Sequence, residues 1–195
     1  DALDNLYIEG GQTAIIDAVY LAAQTVDEYE KTRDPNDKKR RALILVSDGE
    51  DRDSFYNEQQ LFELLRESNV QIYTVGFITE LSKEGGFISK SPQTKARAFL
   101  ERLATETGGK SYFPNSLSEL NTIAGDIASE LRTQYIVSYA PTNDRKDGTF
   151  RSIKVVVSDG PNKQKRIAVT RTGRKAETGN SVMPKAQSSN QPKVQ

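Results

Sequence analysis

Asp48 combines a chemically useful side chain with a position at which ligands commonly bind. It lies in Ser47-Asp48-Gly49, directly after the apolar run Ala42–Val46. A short apolar run that ends at turn residues is typical of a strand buried on both faces of a parallel sheet. Open α/β sheets bind ligands just beyond the carboxyl ends of their strands, so we expect Asp48 at such an edge. The alternative, that Asp48 only caps a turn, is the more frequent outcome for an isolated Ser-Asp-Gly.

Thr13 is the second candidate, at the end of Gly10-Gly11-Gln12-Thr13 and just before an apolar helical stripe. Hydroxyl and carboxylate oxygens are hard ligands of the kind that Mg²⁺ prefers, with waters filling the rest of its octahedron. Thr13 and Asp48 together therefore fit part of a divalent-cation site. Taken alone, Thr13 fits a helix N-cap better than a metal ligand.

Three further carboxylates, Glu50, Asp51 and Asp53, make the loop after Asp48 acidic. They do not form an EF-hand calcium loop, which needs glycine at its sixth position and glutamate at its twelfth. A solvated acidic loop is the simplest interpretation. The functional alternative is that these carboxylates bias the choice of a binding partner.

Catalytic chemistry has little support in the composition. The sequence contains no His and no Cys, which removes the usual general base, the commonest transition-metal ligand and every thiolate site. A Ser-His-Asp relay is therefore impossible within the chain. We expect a binding protein rather than an enzyme, and a metal-assisted hydrolase built on Asp51 and Asp53 is the remaining enzymatic alternative.

The order of the predicted elements indicates an α/β fold. Apolar spacing and capping residues predict helices over 14–30, 57–68, 91–107 and 120–131, and strands over 42–46, 70–77 and 110–113. Alternation of strands and helices is the mark of a parallel sheet with crossover helices, here in three layers. The segment Ala104–Ser111 resembles a phosphate loop, but its order of helix, turn and strand makes Gly108-Gly109 a helix stop instead.

After Arg132 the hydrophobic period changes from that of a helix to two. Alternating apolar residues predict three antiparallel strands, at 135–140, 153–157 and 167–169. Beyond Gly173 polar residues dominate and predict a disordered tail. We therefore divide the chain into an α/β domain at 1–132, an antiparallel β meander at 133–172 and a polar, basic tail at 173–195.

Charge is balanced overall but unevenly distributed. The 27 basic and 27 acidic residues cancel, yet residues 161–195 carry eight Lys or Arg against one Glu. Such an end could meet nucleic acid or an anionic surface. Because these charges are diluted along a segment without aromatic residues, we expect them to keep a loose end soluble and expect no nucleic-acid partner. No run approaches the roughly 20 apolar residues that a membrane-spanning helix needs.

Several segments, in the right order, resemble the von Willebrand factor A (VWA) domain family. The most specific are Gly-Gly-Gln-Thr-Ala-Ile-Ile-Asp-Ala-Val at 10–19 and Arg-Ala-Leu-Ile-Leu-Val-Ser-Asp-Gly-Glu-Asp at 41–51. Residues 70–77 resemble the next strand of that fold, and residues 103–113 resemble its following helix and strand. The segment 118–135 and the meander resemble the bacterial VWFA-related subgroup, so the likeness covers about residues 1–171.

The resemblance implies a binding function. VWA domains hold Mg²⁺ or Mn²⁺ between three loops in a metal-ion-dependent adhesion site (MIDAS), which binds an acidic side chain of a protein partner. Thr13 matches the family's threonine and Asp48 its second aspartate, but the family's first loop, Asp-x-Ser-x-Ser, is absent from this sequence. The resemblance also implies an extracytoplasmic, adhesive role. The alternative is a metal-free VWA scaffold that contacts partners through helix faces or the meander.

The absent first loop has a physical counterpart in the sequence. A strand as apolar as Ala42–Val46 is expected at the centre of a sheet, because as an edge it would be a template for aggregation. Nothing before Glu9 is long enough to provide its inner neighbour. We therefore expect this chain to be the C-terminal portion of a longer one. The alternative is a divergent domain whose meander covers that edge.

Overall fold

The structure, a computed structural model, describes residues 13–32, 42–85, 90–135 and 137–176. Its helices and strands, in chain order, are α1 Ile15–Thr32, β1 Ala42–Ser47, α2 Glu58–Glu67, β2 Gln71–Gly76, α3 Pro92–Thr107, β3 Ser111–Tyr112, α4 Leu120–Thr133, β4 Phe150–Ser152 and β5 Gly173–Lys175. The predicted Gly10-Gly11-Gln12 turn and most of the predicted tail lie outside the described residues. Within the described residues, no helix is both long and apolar enough to cross a bilayer.

The main sheet is parallel, as the alternation of strands and helices predicts. Its strand order is β1-β2-β3. Ala42 pairs with Gln71 and Ser47 with Gly76 at the two ends of the β1–β2 ladder, and β3 adds a shorter parallel pairing to β2. Each connection passes through a helix, so all three strands end at the same edge of the sheet.

Helices cover the two faces of this sheet, which confirms the three-layer α/β fold. One face packs against α1, α2 and α3, and its core includes Leu61, Leu65, Ile72 and Leu100. The other face packs against α4, where Ile123 and Ile127 contact a cluster with Tyr73 and Val75. The period-2 geometry of a strand explains this division, because neighbouring side chains of β2 point to opposite layers.

The prediction that β1 is buried on both faces is wrong for the described part of the chain. Leu43 and Leu45 pack against the main core, whereas Ile44 is 50% and Val46 58% exposed. The register places Ile44 and Val46 beside Tyr73 and Val75. From this face of β1, however, Ala42 packs against the cluster around α4, whereas Ile44 and Val46 do not. An unbroken apolar run thus shows that a strand is apolar on both faces, not that both faces are covered.

The capping signals that the sequence predicts for α3 are confirmed. The Ser91 hydroxyl accepts from the Thr94 amide at 3.3 Å and Pro92 occupies the first turn of α3. Gly108 ends α3 in the left-handed conformation, at φ +82°, and a Cβ on Gly109 would collide with the Ile72 carbonyl. Gly108-Gly109 is therefore a helix stop fitted against β2, as predicted, and the phosphate-loop reading is rightly rejected.

The C-terminal region forms an antiparallel pair, but its strands differ from the predicted three. Phe150 pairs with Lys175 and Ser152 with Gly173, while the described residues of 135–140, 153–160 and 164–170 form no regular strand. Alternation predicts a strand when one face packs on a core, and here the alternating residues are exposed. Strand β5 also occupies the first residues of the segment predicted as a disordered tail.

This C-terminal pair is anchored at the amino ends of the parallel strands. The Arg171 guanidinium donates to the Ser68 carbonyl at 2.9 Å and to the Leu65 carbonyl at 3.4 Å, at the end of α2. Lys175 pairs with Glu67 at 2.7 Å. A Cβ on Gly108 would lie 2.6 Å from the Arg171 backbone nitrogen, so the chain passes directly over the end of α3.

Candidate binding rim at the carboxyl ends of the strands

Asp48 lies where the sequence predicts it, directly after β1 at the carboxyl edge of the sheet. Its Oδ1 atom accepts a hydrogen bond from the Glu50 amide at 3.0 Å, which makes it the cap of a tight turn. Gly49 allows that turn, since its φ is +80° and a Cβ there would lie 3.0 Å from Ala96 and from Leu100 of α3. The side chain of Asp48 is partly buried. The turn-capping interpretation therefore holds, and it leaves the second carboxylate oxygen for another role.

Thr13 lies two residues before α1 and is exposed. Its carbonyl accepts a hydrogen bond from the Arg52 amide at 2.9 Å. Arg52 belongs to the segment after β1, residues 48–56, which we call the rim loop. The two candidate loops are thus held together by their backbones at one edge of the sheet.

The amino end of α1 is capped by the rim loop rather than by Thr13. The Asp51 Oδ1 atom accepts from the Ile16 amide at 3.1 Å, and the Ser54 hydroxyl accepts from the Asp17 amide at 3.2 Å. Ser54 also donates to Asp51 at 2.5 Å. These amides belong to the first turn of the helix, where no intrahelical acceptor exists and negative charge is favoured. Asp51 therefore has a structural role that the sequence analysis missed.

Asp17 fastens the same loop from the helix side. Its two carboxylate oxygens accept from the Phe55 amide at 2.8 Å and from the Tyr56 amide at 2.9 Å. The Tyr56 ring stacks on Tyr20 with centroids 3.8 Å apart, and burial is the main reason that the pKa of Tyr20 is raised. The aspartate and the stacked rings hold the rim loop in one conformation against α1.

The acidic residues Glu50 and Asp53 of the rim loop differ in exposure, since the Glu50 side chain is 22% exposed and Asp53 is exposed. Glu50 pairs with Arg52 at 2.5 Å, and this contact is the main cause that raises the pKa of Arg52. Asp53 is exposed. The predicted acidic loop is therefore divided: Asp51 caps a helix, Glu50 is paired with a neighbour, and Asp53 carries charge at the surface.

Thr13 and Asp48 fit a divalent cation by chemistry but provide few ligands. Both offer oxygen, the donor that Mg²⁺ and Mn²⁺ accept readily. Among the described residues, no group of three or more Asp, Glu, His or Cys side chains is arranged to hold a metal ion. Two protein oxygens fill only part of an octahedral shell, so the remaining ligands would have to come from water or from elsewhere.

Comparison with known proteins assigns the fold to a family. The model of the von Willebrand factor type A domain matches residues 1–126. The chain belongs to the VWA family, whose members are generally protein-interaction modules and often carry a MIDAS. No curated protein sequence matches this chain.

The solved structures that are similar to this chain include three bacterial proteins. An uncharacterized membrane spanning protein from Vibrio fischeri is 26% identical with a TM-score of 0.36, and the match covers 65% of this chain and 62% of that one. BatB from Bacteroides thetaiotaomicron is 14% identical with a TM-score of 0.42, covering 68% and 67%. An aerotolerance-related membrane protein from Bacteroides fragilis, with multiple mutations to serines, is 19% identical with a TM-score of 0.45, covering 68% and 67%. The chain thus spans less than two thirds of the first of these proteins.

Proposed function

We propose that this chain binds a protein partner at the rim, through a Mg²⁺ or Mn²⁺ ion held in part by Thr13 and Asp48. An Asp or Glu side chain of the partner completes the coordination. When bound, the ion supplies a concentrated positive charge that makes one carboxylate contact strong and orientation-specific. The proposal assigns no catalytic activity to the chain, and it places the binding event outside the cytoplasm, as the family resemblance implies.

The hydrogen bond from the Arg52 amide to the Thr13 carbonyl, at 2.9 Å, carries this proposal. It ties the segment before α1 to the loop that Asp48 begins, so the two predicted ligands belong to one edge of the sheet. The Asp17 and Asp51 contacts fix the loop around them. A loop held in this way presents its oxygens with little loss of conformational freedom on binding.

Binding of Mn²⁺ to the chain, followed by water-proton relaxation, tests the metal. Asp48→Asn keeps an oxygen for the Glu50 amide but loses the charge, and Thr13→Val keeps the shape but loses the hydroxyl. Each is expected to weaken Mn²⁺ binding about tenfold or more. Asp53→Asn is the matched control, since it removes the same charge from the same loop at an exposed position. Equal affinity of the wild type and Asp48→Asn would remove Asp48 from the site.

The alternative is a metal-free interaction domain. The observation that favours it is the absence, among the described residues, of a group of three metal-ligating side chains. It predicts that the wild type does not bind Mn²⁺ and that partner binding is insensitive to chelators. A hydrolase built on Asp51 and Asp53 is less well supported, because Asp51 is engaged at the amino end of α1. That hypothesis requires a turnover that Asp53→Asn abolishes.

A further inference from the structure

Residues 150–175 form one hairpin that projects from the α/β domain. Its base is the β4–β5 pair, extended by a hydrogen bond from the Ile153 amide to the Thr172 carbonyl at 2.9 Å. Its tip is a tight turn that closes with the Gly160 amide donating to the Gln164 carbonyl at 2.7 Å. Asn162 and Lys163 both have φ of +59° in this turn. Between base and tip, residues 154–159 form the outgoing arm and residues 165–171 the returning arm.

The arms of the hairpin expose aliphatic side chains to an unusual degree. Val156 is 79% exposed on the outgoing arm, and Ile167 is 88% exposed on the returning arm. Val155 and Val157, on either side of Val156, are exposed as well. Consecutive residues of an extended chain point in opposite directions. A flat partner that covers one side of the hairpin would therefore leave apolar side chains on the other side in water.

The same hairpin is basic. Between 153 and 170 it carries four basic residues and one acidic residue, Asp159. The four basic residues are exposed: Lys154, Lys163, Lys165 and Arg166. Three of them lie at or next to the tip, close in sequence to Ile167. Apolar and cationic groups are thus combined on one projecting element.

We propose that this hairpin docks on an anionic membrane surface. Its basic residues contact lipid phosphates while its aliphatic residues lie at the boundary between headgroups and acyl chains. A lipid interface can surround the tip, so it accounts for apolar residues on both sides, which a flat protein surface does not. A nucleic acid would use the charges but not the aliphatic side chains, and the hairpin has no aromatic residue between 153 and 170 on which bases could stack.

The base of the hairpin is attached to the α/β domain by several contacts. Arg171 is held by two α2 carbonyls and Lys175 by Glu67, and the Arg66 guanidinium lies 5.2 Å from the centroid of the Phe150 ring. The arms are expected to stay in the headgroup interface and not to enter the hydrocarbon. Their backbone N–H and C=O groups lack the regular pairing of a β-sheet and would be left without hydrogen-bond partners in hydrocarbon. Because the hairpin is attached at the amino ends of the strands, the rim with Asp48 lies at the opposite edge of the sheet from the hairpin.

Sedimentation of the full chain with large vesicles tests this proposal. The probe is phosphatidylcholine with roughly 30% phosphatidylglycerol, against pure phosphatidylcholine, at about 0.15 M salt. The wild type is expected to bind the anionic vesicles only. Replacing Lys163, Lys165 and Arg166 by Glu is expected to weaken binding about a hundredfold or more, since each basic residue near an anionic surface contributes roughly fivefold.

Two further variants separate this inference from general electrostatic attraction. The control replaces the exposed Lys83, Lys90 and Lys95 by Glu, which changes the net charge equally but elsewhere in the chain; it is expected to change binding far less. Val156→Ser with Ile167→Ser keeps all charges and is expected to weaken binding about tenfold or more. Circular dichroism checks that each variant is folded.

The proposal is overturned by an absence of vesicle binding, by equal losses in the two charge variants, or by an unaltered affinity of the double serine variant. Binding to an oligothymidine that depends on the charges but not on Val156 and Ile167 would instead assign the hairpin to nucleic acid. None of these outcomes depends on Thr13 or Asp48, so the metal-dependent function can fail or succeed independently.

Discussion

At both edges of the parallel sheet, a charged side chain forms hydrogen bonds with unpaired backbone groups of a helix end, and the two charges are opposite. At the carboxyl edge, Asp51 accepts from the first turn of α1. At the amino edge, Arg171 donates to the carbonyls at the end of α2. Both arrangements put a charge at the helix end that favours it, and both use a residue far from that helix in the sequence. Unpaired backbone groups of helix ends are thus satisfied by the connections at each edge.

The two ends differ in what surrounds the charge. The rim loop is held by polar side chains that include the exposed Asp51, and Asp53 beside it is exposed as well. Arg171 lies partly buried between segments of backbone, and that burial lowers its pKa. The rim is therefore suited to exchanging water for a ligand. The amino end is suited to fastening one part of the chain to another.

The largest expected effect concerns the close packing at the amino end. Gly109→Ala places a methyl group against the Ile72 carbonyl, and because the contact is with backbone, relieving it requires the chain itself to shift. We expect the free energy of unfolding to fall by about 3 kcal/mol or more. Urea denaturation measures it. Gly125→Ala in α4, where a Cβ meets nothing within 4 Å, is the matched control and is expected to stabilise by about 0.4–1 kcal/mol.

A smaller loss is expected when the anchor of the hairpin is removed. Arg171→Met keeps much of the side-chain volume but removes the Arg171 donor from the Ser68 carbonyl, which costs about 1–3 kcal/mol. The Leu65 carbonyl still accepts from the Ser68 hydroxyl at 3.3 Å. Amide exchange of Ile153, at the base of the hairpin, is expected to accelerate more than that of the β2 amides. Uniform acceleration across both would show that Arg171 stabilises the whole domain and does not specifically anchor the hairpin.

At the rim, Asp51→Ala is expected to cost about 0.5–2 kcal/mol, the usual effect of losing a helix cap. Asp51→Asn keeps an oxygen acceptor for the Ile16 amide and is expected to recover most of that loss. Thermal unfolding of both variants gives the comparison. If the two are equally destabilised, the charge of Asp51 matters more than its hydrogen bonds.

The smallest effect is expected at Asp53. Because its side chain is exposed, Asp53→Ala should change the free energy of unfolding by less than about 0.5 kcal/mol. A larger loss would contradict the division of the rim loop into a structural aspartate and a solvent-facing one. The same denaturation experiment that measures Asp51→Ala measures this variant.

The sequence predicts those features that depend on neighbouring residues. Ser91 and Pro92 start α3 and Gly108 ends it because capping is decided within one turn of the helix. The position of Asp48 follows from the strand before it. These local signals are sufficient to place the parallel sheet and its carboxyl edge.

The features that the sequence analysis missed depend on distant contacts. Asp51 and Ile16 are 35 positions apart, and no pattern in either segment indicates that one caps the other. The exposure of Ile44 depends on where α4 lies, not on the composition of β1. Likewise, the alternation at 135–140 indicates a preference for strand, but only a partner strand would satisfy it. The metal ligands proposed at Thr13 and Asp48 rest on the family pattern and on loop proximity together.

Helix α3 contacts segments at both edges of the parallel sheet. Near its start, Ala96 and Leu100 leave no room for a side chain at Gly49, beside Asp48; at its end, Gly108 lies under the backbone of Arg171. Along α3, Ala96 and Gly108 are separated by about 18 Å. A ligand that displaced the turn at Gly49 would either shift α3 or break the contact between Gly49 and α3. A shift of α3 would change the amide exchange rate of Gly109 between samples with and without Mn²⁺.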